Sequence, residues 1–264
     1  MAAVGVVVGG YLTLEPLVWT SLLTVAVAIF CVCAAGNIFN DIGDVEIDRI
    51  AHPDRILVSG RLEVSAARRI GLALTLVGAV LPLFAGLAVV LAVWVMIGLL
   101  ITYNRYLKRV ALAGNLLVAT LAASVFMVGG YATSPQVVFE LPGPPIAALF
   151  AFLMHLMREI AKDTQDMDAD RQFGRRTLPI LLGERASFIF IAALAVILSL
   201  AIYWPYREEW FGRYYMIFAG GGVILPIAVT LTYLFVHMAA DKGRILSAVL
   251  KVSMGVGLLA LLVA

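Results

Sequence analysis

Charge is what this sequence has least of. Only 14% of its 264 residues are Asp, Glu, Lys or Arg, and 62% are apolar. A soluble domain carries about 25% charged residues and is about half apolar, so this balance excludes one and makes the bilayer the solvent. Cysteine is nearly absent as well. Cys31 and Cys33 lie in one apolar run, where a spacing of two sends them to different sides of a helix. A disulfide between them is geometrically poor, and they read as small packing residues. Histidine occurs three times, at no paired spacing. No stretch alternates as a strand would, so no sheet is expected. Met1 is followed directly by apolar residues with no basic n-region, which argues against a cleavable signal. Met1–Leu14 falls short of the ~20 residues that a span needs, so further residues are expected in front of Met1.

Long hydrophobic runs are what the chain does have. They fall at Met1–Leu14, Leu17–Phe39, Ile70–Ala85, Leu87–Tyr103, Leu112–Tyr131, Ile146–Ile160, Ser187–Trp204, Tyr215–Val236 and Ile245–Ala264. Nine helices are predicted, with Pro82 and Gly86 as the breakers between the third and fourth. If the amino terminus is inside, 17 of the 19 Lys and Arg residues fall on the cytoplasmic side, leaving only Arg207 and Arg213 outside. The positive-inside rule therefore predicts an all-α, multi-pass protein of the cytoplasmic membrane with an inside amino terminus.

Two long inner loops are alike. One runs Asp48-Arg49, Arg55, Leu57, Gly60-Arg61, Ser65; the other runs Asp170-Arg171, Arg176, Leu178, Gly183, Arg185, Ser187. Three further crossings follow each, which predicts two parallel four-helix repeats plus a leading helix, around a central cavity. Repeats related by an axis along the membrane normal bring corresponding loops side by side. The whole chain, residues 1–264, reads as one domain, with cytoplasmic cap loops at about 40–67 and 163–186.

The scarce charges are concentrated at those loops. Asn40, Asp44 and Asp48 follow at i, i+4 and i+8, with Asn37 and Asp41 beside them. On a helix these share one face. Glu159, Asp163, Asp166 and Asp170 repeat the pattern downstream. Carboxylates crowd the carboxyl ends of apolar helices here, where the helix dipole disfavours them, which argues against a mere solvated helix end. All the clustered ligand atoms are oxygens, suited to hard divalent cations and best to Mg²⁺. Arg49, Arg55, Arg61, Arg68, Lys162, Arg171, Arg175 and Arg176 stand around them, and Arg forks match phosphate oxygens. Acid, metal and base at the mouth of an apolar cavity suit a substrate with a diphosphate head and a hydrocarbon tail. Lys162 and Arg158 flank the carboxylates on the membrane side. Tyr103, Asn104, Asn115 and Tyr131 are candidates to line the cavity and steady a cation, with interfacial anchoring the competing role for the tyrosines. His155 reads as a packing or cavity-wall residue.

Asn40-x-x-x-Asp44-x-x-x-Asp48, with Lys162-Asp163-x-x-Asp166-x-x-x-Asp170 downstream, resembles the paired motifs of the UbiA superfamily of intramembrane prenyltransferases. Asp48-Arg49, Pro53-Asp54-Arg55, Ser59-Gly60-Arg61, Leu107-Lys108 to Gly114-Asn115 and Arg176-Thr177-Leu178-Pro179-Ile180 are most similar to the archaeal-type geranylgeranylglyceryl phosphate geranylgeranyltransferases within it. The chain departs from relatives at Ile56, where Pro is usual, and lacks their Arg-Pro-x-Asn opening. The resemblance implies Mg²⁺, in two ions, on Asn40, Asp44, Asp48, Asp166 and Asp170. It implies a catalytic set of Asp41, Asp44, Asp48, Asp163, Asp166 and Asp170. Substrate contacts are implied for Asn37, Asn40, Arg49, Arg55, Arg61, Lys108, Arg158, Lys162, Tyr103, Asn115 and Tyr131. The implied partners are a prenyl diphosphate donor, a lipophilic acceptor and the bilayer, with no nucleic acid. An aromatic or quinone-type acceptor is the alternative within the family. An ion-coupled transporter would carry its carboxylates near the midplane, and a CDP-lipid phosphotransferase would show an Asp-Gly-x-x-Ala-Arg spacing that is absent.

Overall fold

The computed structural model describes residues 1–237 and 241–264, and every described element is helical. The helices are α1 (Ala2–Tyr11), α2 (Trp19–Ala51), α3 (Val64–Val80), α4 (Leu87–Arg105), α5 (Ala113–Thr133), α6 (Pro144–Gln165), α7 (Met167–Gln172), α8 (Leu178–Leu182), α9 (Glu184–Arg207), α10 (Arg213–Ala219), α11 (Leu225–Val236) and α12 (Lys242–Leu262). A π turn at Gly220–Ile224 joins α10 and α11 into one span. Among the described residues eight helices are long and apolar enough to cross a membrane. The leading segment forms a ten-residue helix instead, about 15 Å long and so about half the hydrocarbon thickness. Pro82 and Gly86 break the chain where expected: a 3-10 turn at Leu81–Phe84 and a positive φ at Gly86 separate α3 from α4.

Helix α6 is the axis of the bundle. Over half of its apolar window is buried, against 17% for α3, and it begins with Pro144 at a position where a missing N–H costs nothing. The peripheral helices turn Leu72, Leu76, Trp94, Leu200 and Val229 outward, as lipid-facing surfaces should. Short α1 is held by close approach. A Cβ on Gly9 would overlap the backbone of Phe126, and one on Gly129 would overlap the backbone of Val6. Small residues at such crossings let helices pack without a hydrophobic driving force in lipid. Cys31 and Cys33 are both free.

Candidate active site

The first acidic run stands clear of the bilayer because α2 outlasts it. Its 33 residues extend about 50 Å, against a hydrocarbon core of about 30 Å. Asp44 and Asp48 turn inward and are buried, whereas Arg49 faces out and pairs with Glu46.

Each inward carboxylate meets a cation. Lys108 Nζ lies 2.8 Å from Asp44 Oδ1. Arg55 Nη1 lies 2.6 Å from Asp48 Oδ2 and 3.3 Å from Asp41 Oδ1. Arg175 donates both to Asp44 and, at 3.1 Å, to Asp170. His52 Nε2 lies 3.0 Å from Asp166 Oδ1. The two acidic runs therefore meet at one end of the bundle, as the loop similarity predicts.

A local turn places Arg175. Gly174 takes φ +66° just after α7, a conformation that costs glycine little. The Arg175 N–H then donates to the Asp170 carbonyl at 2.9 Å. Burial pushes the Asp170 carboxyl up to about 6, with Arg175 opposing the shift and Asp166 adding to it.

The second run is not the single straight stripe expected from its spacing. α6 stops at Gln165 and α7 starts at Met167, so Asp166 sits at a joint. Glu159 stays on α6 with Arg158 at 3.0 Å and Lys162 at 3.7 Å. Asp163 turns to α5, where Asn115 Nδ2 donates to it at 2.8 Å. Asp166 reaches His52 at the end of α2, and Asp170 is linked to Asp44 of α2 through Arg175.

Inside this polar end lies a cavity of about 440 Å³. Its mouth is lined by Asn37, Asn40, Tyr103, Arg158, Glu159 and Lys162, and its depth by Leu100, Phe126, Leu198, Ile202 and Tyr215. The other expected contacts fall elsewhere. Arg61 donates to Ser59 Oγ and to the Asp54 carbonyl, tying its own loop rather than facing the cavity. Tyr131 sits 16 residues beyond Asn115 on α5, about 24 Å away along the helix, and is not among the cavity's lining residues. Arg175, which joins the two runs, was one basic residue among many in the sequence. The signal for it is the Gly before it, which predicts a turn back toward Asp170.

The donor set fits a hard divalent cation. Asn40 Oδ1 is buried at the cavity mouth with no hydrogen-bond partner, and Asp44, Asp48, Asp166 and Asp170 add only oxygens. As the side chains stand, no three His, Cys, Asp or Glu groups among the described residues converge on a metal position. Arg55, Lys108 and Arg175 pair with these carboxylates.

Comparison with known proteins decides the family. Residues 2–252 match the UbiA prenyltransferase family. The chain belongs to that family. A digeranylgeranylglyceryl phosphate synthase of Methanopyrus kandleri is 36% identical over 276 residues, covering 99% of this chain and 93% of that protein. A solved structure concerned with digeranylgeranylglyceryl phosphate synthase in membranes superposes with a TM-score of 0.71 at 31% identity, over 99% of this chain and 92% of that one. A UbiA homologue from Archaeoglobus fulgidus, solved with DMAPP and Mg²⁺, shares the fold at a TM-score of 0.63 and 15% identity, covering 100% of this chain and 95% of that one. This UbiA family member is thus a multi-pass membrane protein, and Asn37 and Asn40 of its first polar run and Glu159 and Lys162 of its second line one cavity.

Proposed function

We propose that this UbiA family member transfers a geranylgeranyl group from its diphosphate to the hydroxyl of geranylgeranylglyceryl phosphate, a step of ether-lipid synthesis. The observation that carries the reading is the meeting of two acidic runs, interleaved with Lys108, Arg55 and Arg175, at one end of the bundle, where Asn37, Asn40, Glu159 and Lys162 of the same runs line a largely apolar cavity. The names of relatives that match most of the chain support the donor and the acceptor.

Asn40, Asp44, Asp48, Asp166 and Asp170 are the residues that would hold Mg²⁺, which the Archaeoglobus fulgidus homologue binds with DMAPP. When bound, Mg²⁺ supplies positive charge for the departing diphosphate. Lys108, Arg55 and Arg175, which now neutralise the carboxylates, are the cations placed to take diphosphate oxygens. Asp41 and Asp163 are proposed to act at one remove, Asp41 by holding Arg55 and Asp163 through Asn115. The tail enters the cavity below Asn37 and Tyr103. The allylic C–O bond breaks with its electron pair going to diphosphate, and the Tyr103 ring at the mouth is placed to steady the cation. Apolar walls keep water away from it. Arg158 and Lys162, around Glu159 on the same wall, offer positive charge to the acceptor phosphate. With most basic residues at the end that carries the site, that end and the amino terminus are assigned to the cytoplasm.

The test supplies purified protein with labelled geranylgeranyl diphosphate, with and without Mg²⁺, and offers glyceryl-phosphate and aromatic acceptors in parallel. Ether product dependent on Mg²⁺, and lost in Asp48→Ala and Asp166→Ala, supports the reading. Near wild-type turnover in either variant would overturn it. Product from aromatic acceptors alone would reassign the acceptor.

A further inference from the structure

We propose that His155 is the base that takes the proton from the acceptor hydroxyl. The inference rests on the prenyl-transfer reading and names a residue which that reading leaves without a task. His155 lies on α6 and lines the cavity. It stands one helical turn deeper than Glu159, about 6 Å along the axis. That depth is below the carboxylates, where the reacting carbon of a bound donor would be.

Its hydrogen bonding defines the tautomer. His155 Nδ1 lies 2.9 Å from the Ala151 carbonyl oxygen. A carbonyl only accepts, so Nδ1 carries the hydrogen. In the neutral ring Nε2 then presents a lone pair, and among the described residues the only hydrogen bond of the ring is the one at Nδ1. The bond to the helix's own backbone directs the opposite edge of the ring away from α6.

Other proton acceptors near the cavity are engaged or too weak. The Glu159 carboxylate is held by Arg158 and Lys162. Asp163 is bonded to Asn115 and Asp41 to Arg55, and neither lines the cavity. The Tyr215 hydroxyl donates to the Ile202 carbonyl at 2.9 Å. Cys33 and Tyr103 line the cavity too, but thiols and phenols ordinarily hold their protons at neutral pH.

The step balances. The donor C1–O bond breaks and its electron pair leaves with diphosphate. The acceptor oxygen forms the new bond to C1, its O–H bond breaks, and the proton moves to His155 Nε2. The resulting imidazolium sits one turn from the Glu159 carboxylate, a spacing at which opposite charges on a helix attract.

The experiment uses full-length protein, labelled geranylgeranyl diphosphate, geranylgeranylglyceryl phosphate and Mg²⁺, and measures diphosphate released and ether formed in the same sample. The wild-type ratio is expected near one. In His155→Gln, ether formation is expected to fall at least about 100-fold. Diphosphate release should fall less, because captured water converts the cation to prenyl alcohol, so the ratio rises well above one. The two rates falling together, or ether formation at the wild-type level, would overturn the proposal. His155→Asn is measured beside it with a thermal melt, and failure of both variants to fold would make His155 a packing residue and end the inference. Wild-type protein that releases no diphosphate from any prenyl donor would instead sink the prenyl-transfer reading itself.

Discussion

Lys108 Nζ sits 2.8 Å from Asp44 Oδ1, with both side chains at most 10% exposed. The short 3-10 turn at Leu107–Arg109, between α4 and α5, thus delivers a buried cation to the middle carboxylate of α2. If that cation takes diphosphate oxygens during the reaction, Lys108→Met removes one preorganised donor. The expected loss in kcat/KM is about 100- to 1000-fold. Asp44 keeps Arg175 as a partner, so the variant should still fold. Labelled transfer assays and a melt run together check both halves of this statement.

Arg175 is the other arm of that arrangement, and its removal should be felt in stability. Its guanidinium bonds Asp44 on α2 and Asp170 on α7, and the Asp170 side chain is 3% exposed. Breaking a buried pair from one side costs about 3–5 kcal/mol, because the partner charge is left uncompensated. Arg175→Ala should therefore lower the unfolding temperature markedly without Mg²⁺. Added Mg²⁺ should restore part of the loss, since a ligand that binds only the folded state stabilises it. A melt that Mg²⁺ leaves unchanged would count against these carboxylates as its ligands.

Much of this was legible in the sequence because bilayer physics leaves few choices. Apolar runs had to be helices, Pro82 and Gly86 had to interrupt them, and the charges had to gather at their ends. The i, i+4, i+8 spacing of Asn40, Asp44 and Asp48 placed them on one face, and α2 keeps that face intact. The downstream run failed as a straight stripe because the helix breaks at Asp166, where no Pro or Gly warns of it. Spacing also carries no depth. Tyr131 belongs to the same helix as Asn115, yet stands at its far end. Arg49 and Arg55 look equivalent in the chain, but α2 turns Arg49 outward while the loop after it folds Arg55 back onto Asp48.

Those two placements give a paired control. Arg49 and its partner Glu46 are both more than 60% exposed, and an exposed pair contributes at most about 1 kcal/mol. Arg49→Ala and Tyr131→Ala should each leave prenyl transfer within about twofold of wild type. Arg55→Ala, made alongside, should lower it by at least about 100-fold through lost diphosphate contact. Equal effects of Arg49→Ala and Arg55→Ala in the same assay would contradict the site as drawn.

The last prediction concerns the short helix at the start of the chain. α1 contributes Ala2 and Gly5 to the cavity wall, and Gly9 and Gly129 are the points where it touches α5 backbone to backbone. Backbone cannot swing aside as a side chain can, so Gly9→Ala or Gly129→Ala must push the two helices apart. Overpacking of this kind costs about 1–3 kcal/mol. Both substitutions act on one interface, so once the first has separated the helices the second has less left to disturb. The double variant should lose less stability than the sum of the singles. Separation should also admit water to the cavity, raising the fraction of donor converted to prenyl alcohol instead of ether. Thermal unfolding and product analysis of the three variants test this. Additive losses in stability, with no increase in alcohol, would show that α1 is not a wall of the reaction chamber.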